Sequence, residues 1–192
     1  MDRVSAVVFD CDGVLTDNGS SWQNIHRKFG TDTADDGSHK KTLELFLEGG
    51  ITEEEFVEHD IRLWKGVKPQ IHRDDIMRCY SGIGLMKGAR DVVEELHRRG
   101  VYVAIVSSGV DLFVGAIANM LKVDDWAANG FEWDERGFLE KGLPTRVYSH
   151  DKGLMVEKLA RINEFDTREI VSIGDSSTDL SMMIGDLSLI HI

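Results

Sequence analysis

Cysteine, proline, basic residues and long apolar runs are all scarce in this chain of 192 residues, and each scarcity excludes something. Two cysteines, Cys11 and Cys79, are too few for a disulfide framework and have no metal-ligand spacing. Cys11 alternates with its two acidic neighbours along an extended segment, so it is expected to be a small buried hydrophobe in a protein of the reducing cytoplasm. Lys and Arg number 22 against 34 Asp and Glu, a formal charge of −12. That balance argues against a general nucleic-acid binder or a binder of anionic membranes, since phosphate backbones attract basic surfaces. It leaves room for a small phosphorylated molecule, which answers to the local field. No apolar run reaches the length of a membrane span. Met1-Asp2-Arg3 leads directly into an apolar run, so no signal peptide is expected. With two prolines, 42% hydrophobic and 29% charged residues, the composition is that of a soluble globular protein. Its length suits one core, with or without a small inserted domain.

What is present begins with Asp10-Cys11-Asp12-Gly13-Val14-Leu15-Thr16, directly after the apolar run from Val4 to Phe9. A side-chain period of two turns Asp10 and Asp12 toward the same mouth of a sheet. Two carboxylates about 4 Å apart repel by roughly 4 kcal/mol at an effective dielectric near 20. A compensating cation is expected, and phosphoryl chemistry is the natural use of such a pair.

Short apolar, largely β-branched runs predict buried parallel strands at Val4 to Phe9, Val101 to Val106, Ile170 to Ile173 and Leu187 to Ile192. Amphipathic helical patterns separate them, over Asp91 to Arg99, Leu112 to Leu121 and Lys152 to Ile162. Strands alternating with helices mean an α/β protein with a doubly wound parallel sheet. One stretch breaks the alternation. Between Asp17 and Gly84 the patterns are helical only, with Thr52-Glu53-Glu54-Glu55 reading as a capping box. We read residues 17–84 as a helical cap inserted after the first strand, and 1–16 with 85–192 as the core. The polar loop Gly30 to Ser38 is expected to be mobile. Phe131 to Leu139 reads as a β-hairpin outside the main sheet.

Polar residues follow the predicted strands, where a doubly wound fold keeps its site. The first strand ends in Asp10 and Asp12, the second in Ser107-Ser108-Gly109, the third in Gly174-Asp175-Ser176-Ser177-Thr178-Asp179, and Lys152 opens the helix between the last two. This order resembles the haloacid dehalogenase superfamily of phosphatases and, within it, the phosphoserine-phosphatase-like branch. The helical insertion and the hairpin before the lysine match that branch, so the resemblance covers nearly the whole chain.

The resemblance implies a phosphomonoester hydrolase of small metabolites. Asp10 would be the nucleophile and Asp12 the group that protonates the leaving alkoxide and then deprotonates water. For that work the pKa of Asp12 must lie above the ordinary carboxylate value. Asp10, the backbone carbonyl of Asp12, and Asp175 would hold Mg²⁺, with Asp179 orienting Lys152 or a metal-bound water. Ser107, Ser108 and Lys152 would hold the phosphoryl oxygens. A phosphotransferase or mutase would share the aspartyl-phosphate chemistry. A phospho-receiver module also gathers aspartates, a hydroxyl and a lysine around Mg²⁺, but lacks the insertion and the late Gly-Asp-x-x-x-Asp element. Monomer and homodimer are both compatible with the sequence.

The substrate-selecting positions depart from the phosphoserine phosphatases. Asn18-Gly19-Ser20-Ser21-Trp22 carries no glutamate for the amino group. The nearest lid arginine is Arg62, one residue out of register, and Thr178 stands where an asparagine precedes the last aspartate. Trp22, Trp64, Trp126 and Trp133 are expected to be packing anchors, the first two being candidates to line the substrate cavity. The seven histidines show no metal spacing and read as solvent-facing or cap residues.

Overall fold

The computed structural model describes residues 4–32, 38–183 and 188–191. Among the described residues, five strands form one parallel sheet in the order β3-β2-β1-β6-β7. They are β1 (Ala6–Phe9), β2 (Tyr102–Val110), β3 (Asp125–Asn129), β6 (Ile170–Gly174) and β7 (Ser188–His191). Every residue of β1 is buried, because it lies in the middle of the sheet with helices over both faces. Each Val or Phe so buried contributes roughly 1.5–3 kcal/mol. Val7 and Phe9 join a large cluster with α5 (Ala89–Arg98) and α6 (Asp111–Leu121), while Ala6 and Val8 pack with α7 (Gly153–Ile162) on the other face. Chain order runs outward from β1 in both directions, so a crevice opens beyond the carboxyl ends of β1, β2 and β6.

Among the described residues, four helices lie between β1 and α5: α1 (Ser21–Phe29), α2 (Ser38–Leu47), α3 (Glu53–Val67) and α4 (Arg73–Arg78). The α3 capping box is present: Glu55 N–H donates to Thr52 Oγ1 at 3.1 Å and Thr52 N–H to Glu55 Oε2 at 2.8 Å. The expected hairpin forms a separate antiparallel pair, β4 (Phe131–Trp133) with β5 (Leu139–Gly142), and α3 rests on it. Trp64 of α3 is fully buried, stacked on Trp22 at 6.2 Å and met edge-on by Phe131 at 5.9 Å. Aromatic contacts thus seal α1 and α3 onto the hairpin.

Several expectations need correction. β3 was not expected from the sequence; it is an edge strand that pairs in parallel with β2. β2 does not stop at Val106 but runs on to Val110, its register to β3 shifting on the way, so Ser107 and Ser108 belong to an irregular strand end and not to a turn. Lys152 is the N-cap of α7, not its first residue. Within the C-terminal run, Ser188–His191 form β7, and Leu187 and Ile192 lie outside the described residues, as do positions 33–37 of the polar loop. Among the described residues, no helix is long and apolar enough to cross a membrane.

Candidate active site

Asp10 leaves the end of β1 with its N–H bonded to Ile173 O of β6 at 2.9 Å, which aims its side chain into the crevice. Lys152 is buried, and its Nζ donates to Asp10 Oδ1 at 2.9 Å and to Asp179 Oδ1 at 2.5 Å. The other oxygen of Asp179 accepts from the N–H of Asp175 at 3.1 Å, the N–H of Ser176 at 2.9 Å and Ser176 Oγ at 2.8 Å. Asp179 is therefore saturated, and it serves as a fixed post for the lysine and for the loop carrying Asp175. Oxygens of Asp10, Asp175 and Asp179 all lie within 4.8 Å of one another. With Asp179 taken up by its own bonds, the carboxylates of Asp10 and Asp175 are the pair at that spacing that fits a hard divalent cation such as Mg²⁺. Gly13 helps form the cradle: its φ is +81°, and a Cβ there would lie 2.3 Å from Asp175 Oδ2.

Asp12 borders the same crevice on its α1 side. Its Oδ2 accepts both from the N–H and from the hydroxyl of Ser21, each at 2.7 Å, at the start of α1. The same hydroxyl accepts from Val110 N–H at 3.0 Å, so one serine ties together the first motif, the end of β2 and the first inserted helix. The approach is close enough that a Cβ on Gly109 would sit 2.6 Å from Ser21 Oγ and 3.0 Å from Asp12 Oδ2. The sequence reading missed Ser21. Its signal was the Ser20-Ser21 pair at a helix start, where hydroxyls cap and bond.

Burial dominates the electrostatics. It raises Asp10 from 3.8 to about 6, against the pull of the Lys152 ammonium and with a push from Asp179 and Asp12. Burial also raises Asp12, outweighing the Ser21 bonds, which is the direction a proton-carrying group requires. Lys152 is raised, because Asp10 and Asp179 outweigh the desolvation that would lower it. Asp179 is lowered: its burial works upward but loses to the ammonium and to the bonds from Ser176.

Asp10, Asp12, Ser107, Ser108, Lys152 and Asp175 all line one cleft of about 190 Å³. Trp22, Ser20 and Thr178 line it too. Arg62 does not: it is exposed on α3, beside a separate groove with Thr42 and Leu45. Larger grooves exist, among them one of about 570 Å³ beside Phe46 and Tyr148, but the converging charges are in the small cleft.

His72 caps α4 as expected, but His26, His39 and His59 depart from expectation. His26 is fully buried in α1, its Nε2 3.0 Å from Asp60 Oδ2, while His39 Nδ1 is hydrogen-bonded to Asp60 Oδ1 at 3.0 Å and His59 Nδ1 lies 3.7 Å away. Trp64 Nε1–H donates to His26 Nδ1 at 3.2 Å. An indole N–H only donates, so the proton of His26 belongs on Nε2, facing Asp60. The cluster is an internal brace behind the tryptophan pair.

With this geometry in place, the comparisons with known proteins decide the family. A model of the haloacid dehalogenase-like hydrolases matches residues 7–183. The chain belongs to that family. It is phosphoserine phosphatase-like within it. It is 28% identical over 178 residues to a phosphoserine phosphatase of Archaeoglobus fulgidus, covering 92% of this chain and 49% of that one. It is likewise 28% identical over 177 residues to a phosphoserine phosphatase of Methanocaldococcus jannaschii, covering 92% and 79%. The chain thus spans about half the length of the first relative and most of the second. A solved phosphoserine phosphatase, described as a phospho-aspartyl intermediate analogue, superposes with a TM-score of 0.70 at 26% identity, covering 94% of this chain and 82% of that one. The parallel sheet with flanking helices is the fold these proteins share.

Proposed function

We propose that this chain hydrolyses a small phosphomonoester through a phosphorylated Asp10, with residues 17–84 acting as the cap over residues 1–16 and 85–192. One observation carries the proposal: the buried Lys152 ammonium bridges Asp10 and Asp179 beside Asp175, at the mouth of the sheet. The family membership, and the likeness to a phosphoserine phosphatase solved as a phospho-aspartyl intermediate analogue, support it.

An Asp10 carboxylate oxygen attacks phosphorus while the bond from phosphorus to the substrate oxygen breaks. Asp12 gives its proton to the departing alkoxide, which leaves as an alcohol. Water then attacks the phosphorus of the aspartyl phosphate, Asp12 takes the water proton, and inorganic phosphate leaves with Asp10 restored. Splitting the displacement in two lets an ionised carboxylate act with no base to activate it. Ser107, Ser108 and Lys152 hold the phosphoryl oxygens, and Asp179 keeps Lys152 in place. Asp10, Asp175 and the carbonyl of Asp12 would hold Mg²⁺. When bound, the ion neutralises charge on the transferring group. The free cysteines fit a cytoplasmic protein.

The test is phosphate release from a panel of phosphorylated metabolites with Mg²⁺, using Asp10→Asn as control. Release by the native chain and none by the variant is expected. Equal release by both refutes the nucleophile assignment. Transfer to a second alcohol without free phosphate would replace hydrolase with phosphotransferase.

A further inference from the structure

Resting on that phosphatase reading, we infer that the leaving group is a short, uncharged, hydroxylated alcohol and that Trp22 selects it. Asp12 fixes the direction of departure. The alcohol oxygen must take its proton from Asp12, and Asp12 is bonded to Ser21 at the tip of α1. The residues on either side of Ser21, namely Ser20 and Trp22, line the same cleft. The alcohol therefore leaves toward the start of α1.

Size comes next. The cleft is small, about 190 Å³. Pockets for drug-sized molecules start near 300 Å³. A phosphoryl group with a short chain fills this one.

Charge decides the class. Asp10, Asp12 and Asp175 face the cleft, and Lys152, which also lines it, is already engaged by Asp10 and Asp179. Among the described residues lining the cleft, Lys152 is the sole cation. A carboxylate on the leaving group would find no free cation on the α1 side, since Lys152 and the Mg²⁺ that Asp10 and Asp175 would hold are both committed to the phosphoryl group. The wall on the α1 side is neutral. The Trp22 indole N–H is spent on Ser108 O at 3.0 Å, and the ring is wedged between Trp64 and the edge of Phe131 at 5.6 Å. Behind it, the His26 and Asp60 brace holds Trp64. That leaves a rigid apolar surface for carbon, with the hydroxyls of Ser20 and Thr178 at the cleft for the hydroxyls of a polyol.

Glycerol 3-phosphate and phosphoserine make the discriminating pair, since they are close in size but glycerol carries no charged group and serine carries both an ammonium and a carboxylate. Acetyl phosphate serves as a third substrate, because its leaving group asks little of recognition. With the full chain and Mg²⁺, kcat/KM for glycerol 3-phosphate is expected to exceed that for phosphoserine at least tenfold. Trp22→Ala is expected to raise KM for glycerol 3-phosphate at least fivefold and to cut the preference for it over phosphoserine at least fivefold. Trp22→Phe keeps an apolar ring and should retain most of the preference, which covers the case in which the alanine variant fails to fold. Turnover of acetyl phosphate with a preference below tenfold overturns the inference and leaves the phosphatase reading standing. A Trp22→Ala variant that folds but affects both esters equally also overturns it. No turnover of any of the three removes the phosphatase reading, and this inference falls with it.

Discussion

Replacing Asp10 with asparagine should stabilise the metal-free protein while abolishing turnover. Asp10 is 5% exposed, and burial raises its carboxyl from 3.8 to about 6 despite the lysine beside it. A gap of about two pH units corresponds to about 3 kcal/mol at 1.36 kcal/mol per unit. The sign follows from proton counting. Between pH 3.8 and about 6 the folded chain keeps a proton on Asp10 that the unfolded chain has released. Stability therefore falls as pH rises through that window, and the full deficit persists above it. Asparagine cannot ionise and escapes the deficit.

Lys152 keeps its bond to Asp179 in the variant, so no buried charge is orphaned. Allowing for an imperfect amide fit, the expected gain at pH 7.5 is roughly 1–3 kcal/mol. For a chain of this length 1 kcal/mol moves Tm by roughly 2–4 °C, so the variant should melt about 2–12 °C above the native chain in chelator. Near pH 4 the two should melt together. Adding Mg²⁺ should reverse the order, because only the native chain offers the Asp10 carboxylate to the ion. An asparagine variant no more stable than the native chain at pH 7.5 in chelator, or a gain equal at pH 7.5 and pH 4, would refute this account of the site.

Three further outcomes are expected. Ser21→Ala removes a bond that holds Asp12 down, so the basic limb of the pH–rate profile should move to higher pH; an unmoved limb would detach Asp12 from proton transfer. Ca²⁺ in place of Mg²⁺ should leave less than about a tenth of the turnover, since its larger and looser shell misplaces the attacking oxygen, and equal rates would contradict this. Asp60→Asn should cost about 1–3 kcal/mol at pH 7, measured by denaturant unfolding. Burial acts to raise Asp60, but the imidazoles against it win and hold it low, so its contribution is present at neutral pH and is lost as pH falls through the folded value.

The parts of this molecule that could be read from its sequence are those whose physics is local. β1 is a run of apolar residues because both faces of a central parallel strand are covered, and the acidic pair after it stands out by contrast. The α3 cap is written in Thr52 and Glu55, three residues apart. β3 could not be read, because Asp125-Trp126-Ala127-Ala128-Asn129 has little strand preference of its own and is extended only because β2 offers an edge. The His26 brace was illegible for a related reason. Its partner Asp60 is brought to it by the packing of α1 against α3, over a long stretch of chain. A weak trace existed. Trp22 with His26, and Asp60 with Trp64, are both spaced by four and share helix faces.

That spacing bears on how the inserted helices serve the chemistry. The first residues of α1 do two jobs: Ser21 holds the proton-transfer carboxylate and Trp22 walls the cleft. One turn later, His26 accepts from Trp64, which stacks on Trp22. Tilting α1 by a small angle would loosen Asp12 and widen the leaving-group wall together, so neither can be adjusted alone. The brace of Asp60 and three histidines opposes such a tilt by tying α1 to α2 and α3. Its buried carboxylate is far costlier to leave unpaired than a surface ion pair would be. A polar cluster that touches no reacting atom thus fixes the position of two groups in the cleft, and weakening it should disturb proton transfer and leaving-group choice in the same variant.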